Sequence, residues 1–203
     1  MQGVHVWRAS LVRPADEVAA LHDVLDAAER SRAGKFHHER DRRRFVVARA
    51  TLRTLLGELT ARAPRDVPLC VLPGGKPALG PGGAIDGLHF NVSHCGDLAL
   101  FVFADREVGI DVERVAPHGD MGRVAVHFFS ADERAAFERL AQVERARFFF
   151  RTWVRKEAYV KATGSGLALD PAKVSVADGW LVHDLEDMDD HVAAVALRTA
   201  NSP

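Results

Sequence analysis

The stretch Val108-Gly109-Ile110-Asp111-Val112-Glu113 alternates apolar and other side chains with a period of two, the signature of a β-strand. Strand side chains point to alternate faces. Asp111 and Glu113 therefore share one face, about 7 Å apart, while Val108, Ile110 and Val112 share the other. Carboxylates held side by side repel unless a positive charge stands between them, and a hard divalent cation with oxygen ligands meets that need. The simpler reading is a half-exposed strand with an acidic outer face. The residues on either side of this strand decide between the two.

The segment Gly3–Arg8 alternates Val4 and Val6 with His5 and Trp7 and predicts a first strand. Asp16 to Arg30 carries Val18, Leu21, Val24 and Leu25 at helical spacing, with a start near Pro14 to Asp16. Arg40 to Thr60 predicts a longer helix with Phe45, Ala48, Leu52, Leu55, Leu56 and Leu59 as its apolar stripe. Arg42, Arg49 and Arg53 line one margin of that stripe and Arg44 the other. Such arginines either reach out to water or gather a phosphate. Gly74-Gly75-Lys76-Pro77 predicts a turn between short extended segments. His89 to His94 and Leu98 to Phe103 predict two strands joined at Gly96-Asp97. Ser93 and His94 are neighbours on a strand, point to opposite faces, and so are no nucleophile-and-base pair.

Farther on, Ser130-Ala131-Asp132-Glu133 has the capping-box pattern, which makes Glu133 structural first. Glu144 to Thr163 predicts a second long helix, apolar through Phe149, Trp153 and Val160. Glu157 and Lys161 stand four apart on one margin, as in an ordinary helix ion pair. Val174–Val176, Trp180–Val182 and Val192–Leu197 predict closing strands.

Bulk properties narrow the class. A chain of 203 residues with 47% hydrophobic and 27% charged residues can bury a proper core. A net charge of -1 gives no general attraction for nucleic acid. Cys70 and Cys95 form neither a disulfide framework nor a metal-ligand spacing. No apolar run nears the roughly 18 residues of a membrane span, and no basic-then-apolar leader opens the chain. The expectation is a cytoplasmic protein that binds neither membrane nor nucleic acid.

In order, the chain presents Gly75-Lys76-Pro77, Phe90-Asn91-Val92-Ser93-His94 and Val108 to Glu113. Phe128-Phe129-Ser130 with Glu133 follows, then Trp153-Val154-Arg155-Lys156-Glu157-Ala158 running on to Lys161, Gly164, Gly166 and Leu167. From Arg40 to Leu167 this set resembles the 4'-phosphopantetheinyl transferase superfamily, in its monomeric, surfactin-synthetase-activating type. The resemblance implies an α/β (α+β) pseudo-dimer of two similar halves, each a long helix packed on a small, mainly antiparallel sheet. Its active site lies in the cleft between them. The halves are expected at 1–105 and 106–203, with the metal site in the second.

The implied reaction moves the 4'-phosphopantetheine arm of coenzyme A onto a serine of an apo carrier protein (acyl, polyketide or peptidyl), releasing 3',5'-ADP. Asp111, Glu113 and Glu157 match the family's Mg²⁺ ligands, with Mn²⁺ as a substitute. Glu157 also matches its proposed base, and Lys161 with Lys156 the charges that steady the phosphates. Lys76 and Pro77 match the loop at the adenine. Ser93, His94, Arg44 and Arg49 match contacts near the 3'-phosphate, although the choice among Arg42, Arg43, Arg44 and Arg49 stays open. Two other classes stand beside this one. An inactive module that binds carrier protein or coenzyme A has no need of Asp111, Glu113, Glu157 and Lys161 together. An Mg²⁺-dependent nucleotide hydrolase is disfavoured because no Gly-x-x-x-x-Gly-Lys-Ser/Thr loop occurs.

Overall fold

The computed structural model describes residues 3–72, 75–83, 87–116, 119–164, 172, 174 and 179–199. Gly74, Gly166, Leu167 and most of the strand expected at Val174–Val176 lie outside the described residues. The chain divides into two compact units, one of Trp7–Asp86 with Asp97–Ala99, the other of Met1–Val6, Gly87–Gly96 and Leu100–Pro203. Strand β5 (Leu98–Ala104) lies between β1 (Val4–Ser10) and β4 (His89–Cys95) in a three-stranded sheet. The expectation of a mixed α/β fold with small antiparallel sheets holds.

The first unit is mainly helical. Helix α1 (Ala15–His22) and helix α2 (Ala27–Ala33) replace the single helix expected over 16–30. The apolar spacing of Val18, Leu21, Val24 and Leu25 runs across the break and hides it. Asp26 makes the break. It adopts an extended backbone, its carboxylate accepts the Glu29 N–H at 2.8 Å, and Glu29 accepts the Asp26 N–H at 3.1 Å. That reciprocal pair is a capping box, and it starts a new helix.

Helix α3 (Glu39–Thr60) buries Val46, Val47, Ala50, Leu52, Leu56 and Gly57. Its buried face is rotated from the expected stripe, and Leu59 is exposed. The reason is Arg53, which is only 1% exposed. Its guanidinium donates to Glu29 and Asp26 at 2.6 Å each, and to the carbonyls of Pro64, Arg65 and Val67 at 3.0–3.2 Å. A buried guanidinium is tolerated when its donors are met and its charge is paired. Arg53 thus neither reaches water nor waits for phosphate. Beyond α3, the strands β2 (Leu69–Val71) and β3 (Pro77–Leu79) form an antiparallel hairpin with Lys76 and Pro77 at the start of its second arm.

In the second unit, β6 (Val108–Arg114), β8 (His191–Arg198) and β7 (Trp180–Leu185) form an antiparallel sheet in that order. Helices α4 (Met121–Phe128) and α5 (Ala131–Arg139) lead into α6 (Gln142–Thr163). The Ser130–Glu133 capping box forms as expected at the start of α5. An aromatic cluster of Phe129, Phe137 and Phe149 packs α4 and α5 on the first half of α6.

The second half of α6 lies on β6 and β8. The register pairs Gly109 with Ala196, Asp111 with Ala194 and Glu113 with Val192. These partners share a face, and Val192, Ala194 and Ala196 pack with Val154, Ala158 and Ala162 of α6. Gly109 lets the helix come this close: a Cβ there would stand 2.1 Å from the Ala158 carbonyl oxygen and 2.4 Å from the Ala162 nitrogen. Both obstacles are backbone, so neither can swing aside. Gly109→Ala is expected to lower unfolding stability by about 1–3 kcal/mol, as overpacking does. Urea unfolding that leaves stability unchanged would show that α6 is not seated on this glycine.

Candidate active site

The face of β6 that carries Gly109 also carries Asp111 and Glu113, so α6 lies directly over the acidic pair. The strand is not the half-exposed one of the simpler reading, because residues 108–112 are all buried. On its flank, the Asn91 side chain accepts the Ile110 N–H at 3.0 Å and joins β4 to β6. Two residues on, Ser93 points the same way and its hydroxyl donates to Asp111 Oδ1 at 2.8 Å. From α6, Lys161 Nζ reaches Asp111 Oδ1 at 2.6 Å and Ser93 Oγ at 3.1 Å. Three elements thus converge on one carboxylate oxygen. The other oxygen, Asp111 Oδ2, is buried and has no hydrogen-bond partner.

Glu157 lies one helical turn before Lys161. Burial, then the charge of Asp111, raises its pKa above the ordinary carboxylate range, while the Lys161 charge pulls it down. Burial and then Asp111 raise Glu113 in the same way. Among the described residues, Lys161 is the ammonium that pulls both pKa values down, and the three carboxylates resist full ionisation unless a cation or protons join them. Among the described residues, no three acidic, histidine or cysteine side chains close round a metal by themselves. A small hard cation that keeps waters and phosphate oxygens in its shell needs no such closure. The unbonded Asp111 Oδ2 and the strained charges of Glu113 and Glu157 suit a divalent ion of that kind.

The remaining expected residues are spread out. Lys156 is buried and binds Glu133 Oε2 and the Val174 carbonyl, both at 2.9 Å. It ties α5 and the segment after α6 to the helix, while Lys161 serves Asp111. His94 is exposed, on the opposite face of β4 from Ser93. Arg44 contacts Asp97 at 2.7 Å, and Arg42 and Arg43 bind Glu39.

Arg49 turns elsewhere, 3.5 Å from Glu29 and with its guanidinium over the Phe45 ring. Arg32, which sequence reasoning passed over, lies over the same ring. These two cations, the carboxylates of Asp26 and Glu29, and Phe45 line a cavity of about 250 Å³ together with Leu69, Cys70 and Val71 of β2. The sequence signal for Arg32 was weak, since it belongs to the helix that Asp26 starts.

Comparison with known proteins follows this geometry. The family model described as the 4'-phosphopantetheinyl transferase superfamily matches residues 107–196, and the one described as 4'-phosphopantetheinyl transferase, N-terminal, matches residues 7–105. The 4'-phosphopantetheinyl transferase HetI of Nostoc sp. is 37% identical over 206 residues, covering 96% of this chain and 87% of the relative. The 4'-phosphopantetheinyl transferase Sfp of Bacillus subtilis is 26% identical over 166 residues, covering 80% of this chain and 72% of the relative. Among solved structures, the holo-[acyl-carrier-protein] synthase of Thermotoga maritima matches 46% of this chain and 62% of its own, with 22% identity and a TM-score of 0.37. The family models together take in nearly the whole chain, and HetI matches it almost end to end. The chain therefore belongs to the 4'-phosphopantetheinyl transferase superfamily and is an enzyme that transfers the phosphopantetheine group to carrier proteins.

Proposed function

We propose that Asp111, Glu113 and Glu157 hold the divalent cation of this reaction, Mg²⁺ with Mn²⁺ as a substitute, and that coenzyme A is the donor. The observation that carries this reading is the buried, unbonded Asp111 Oδ2 beside two carboxylates whose ionisation is opposed. A bound cation would neutralise charge on the pyrophosphate as its bond to the leaving 3',5'-ADP breaks. Lys161 steadies the same phosphates as a point charge. Glu157 accepts the proton of the carrier serine, directly or through water. Ser93 holds Asp111 and Lys161 in register.

Arg32 and Arg49 offer guanidinium forks for a phosphate beside the Phe45 ring. The β2–β3 hairpin that lines this cavity leads to Lys76 and Pro77 for the adenine. Arg44 and His94 keep the 3'-phosphate roles that the family resemblance implies. The halves divide at 105/106, a division supported by where the two family models meet and by the 22-residue helix in each half. A single chain supplies both halves, so the enzyme works as a monomer. Its setting is the cytoplasm, and its carriers are acyl, polyketide or peptidyl domains. No helix among the described residues is long and apolar enough to cross a membrane.

Glu157→Gln tests the assignment. It keeps size and an oxygen but removes charge and basicity. Single-turnover transfer to an apo carrier protein, followed by mass, is expected to slow by about 10²-fold or more. Coenzyme A binding falls only modestly. Lys161→Ala spreads its loss over both. Wild-type transfer by Glu157→Gln would reduce the pair to helix decoration.

The cation also predicts a pH dependence. Glu113 and Glu157 have raised pKa values in the fold, so they favour it fully below the ordinary carboxylate value of about 4.3 and lose that contribution as pH rises through their folded values. A divalent cation takes over as the protons leave. The rise in melting temperature on adding Mg²⁺ should therefore be larger at pH 7 than at pH 4.5. Equal shifts by scanning calorimetry would place the cation away from these carboxylates.

A further inference from the structure

Strand β4 addresses β6 with two side chains, and one of them binds backbone instead of a site residue. Asn91 and Ser93 stand two apart on β4, so they share a face, and both are buried. Ser93 reaches the Asp111 carboxylate at 2.8 Å, whereas Asn91 Oδ1 accepts the Ile110 N–H at 3.0 Å. Strand β6 is an edge of its own sheet, in the order β6-β8-β7, and β4 belongs to another sheet. A buried edge amide needs an acceptor, and here a side chain supplies what the carbonyl of a paired strand would. Among the described residues, no ladder sets how far β6 stands along β4.

That placement decides whether the site forms. Asp111 Oδ1 meets Ser93 from β4 and Lys161 from α6 at once. A slide of β6 by one residue, about 3.3 Å, would carry it beyond hydrogen-bonding reach of Ser93. Gly109 seats α6 on β6. The join of β6 to β4 runs through Asn91 and through Ser93 itself. We infer that Asn91 is the positioning residue of Asp111. By holding the amide one residue before Asp111, it fixes β6 on β4, aims Oδ1 at Ser93 and leaves Oδ2 for the metal. A neutral side chain suits this task, since an aspartate would accept the same N–H but add a fourth carboxylate to Asp111, Glu113 and Glu157. The inference rests on the proposed role of Asp111 as a ligand.

The test is Mn²⁺ binding at saturating coenzyme A, followed by electron paramagnetic resonance well below the melting temperature, where only folded protein contributes. Asn91→Leu keeps the size and removes the acceptor. Outer partners of metal ligands change affinity by about 10–100-fold, and Asn91 acts through one backbone step, so the Mn²⁺ Kd should rise by about tenfold. The melting temperature should fall as well, because the buried Ile110 N–H loses its partner. A residue that serves that amide alone would lower melting and leave Mn²⁺ affinity unchanged. A double-mutant cycle checks the route: with Ser93→Ala in place, Asn91→Leu should cost less than about threefold more. If Asn91→Leu does not fold, Asn91→Ala, which leaves space for a water on the amide, must show the same Mn²⁺ loss. Wild-type Mn²⁺ affinity in the acceptor-less variant, or an undiminished further loss in the Ser93→Ala background, overturns the inference.

Asp111→Asn separates this from the metal reading. If it binds Mn²⁺ as tightly as wild type, Asp111 is no ligand and both readings fall. If it weakens binding while Asn91→Leu does not, only the role of Asn91 falls.

Discussion

Asp111→Asn should lower phosphopantetheine transfer by about 10²–10³-fold or more, the scale on which a single electrostatic contact to a transition state is felt. Asparagine keeps the shape and can still meet Ser93. It removes the charge that Lys161 binds at 2.6 Å and that opposes ionisation of Glu113 and Glu157. The fold loses one ion pair but is relieved of repulsion, so melting should change far less than turnover. Steady-state transfer at saturating Mg²⁺, with a melting curve on the same sample, checks both halves. Turnover within about threefold of wild type would remove Asp111 from the site.

The largest loss of stability should come from a residue that does no chemistry. Arg53→Met leaves Asp26 and Glu29 without their shared cation and three carbonyls without their donor. Breaking a buried pair from one side costs about 3–5 kcal/mol, because the Glu29 charge left behind stays largely buried, while Asp26 is partly open to water. Adding Asp26→Asn and Glu29→Gln should recover part of it, since both replacements can still cap α2 while carrying no charge. Urea unfolding gives the number. A loss under about 1 kcal/mol would mean that water already serves Asp26 and Glu29.

These residues also show what a sequence can disclose. The acidic strand was legible because alternation fixes which side chains share a face, and Asp111 and Glu113 do share one. The pairing of Lys161 with Asp111 was not, because it spans 50 positions and depends on how closely α6 seats on β6. Asp26-x-x-Glu29 was a readable helix start, masked by an apolar rhythm that continued through it. Arg53 misled the wheel because its partners come from α2 and from bare carbonyls, which no pattern on α3 encodes.

The notch at Gly109 also sets the phase of the enzyme's charge. With Ala158 and Ala162 resting against a strand that offers no side chain, α6 has one well-fitting axial position. A slip of one turn, about 5.4 Å, would bring residue 157 to where residue 161 now stands. The ammonium beside Asp111 would be exchanged for a third carboxylate, and attraction would become repulsion at the same spot. A single missing methyl group thus works as a polarity key: it selects, among near-equivalent ways of laying a helix on a sheet, the one in which opposite signs meet.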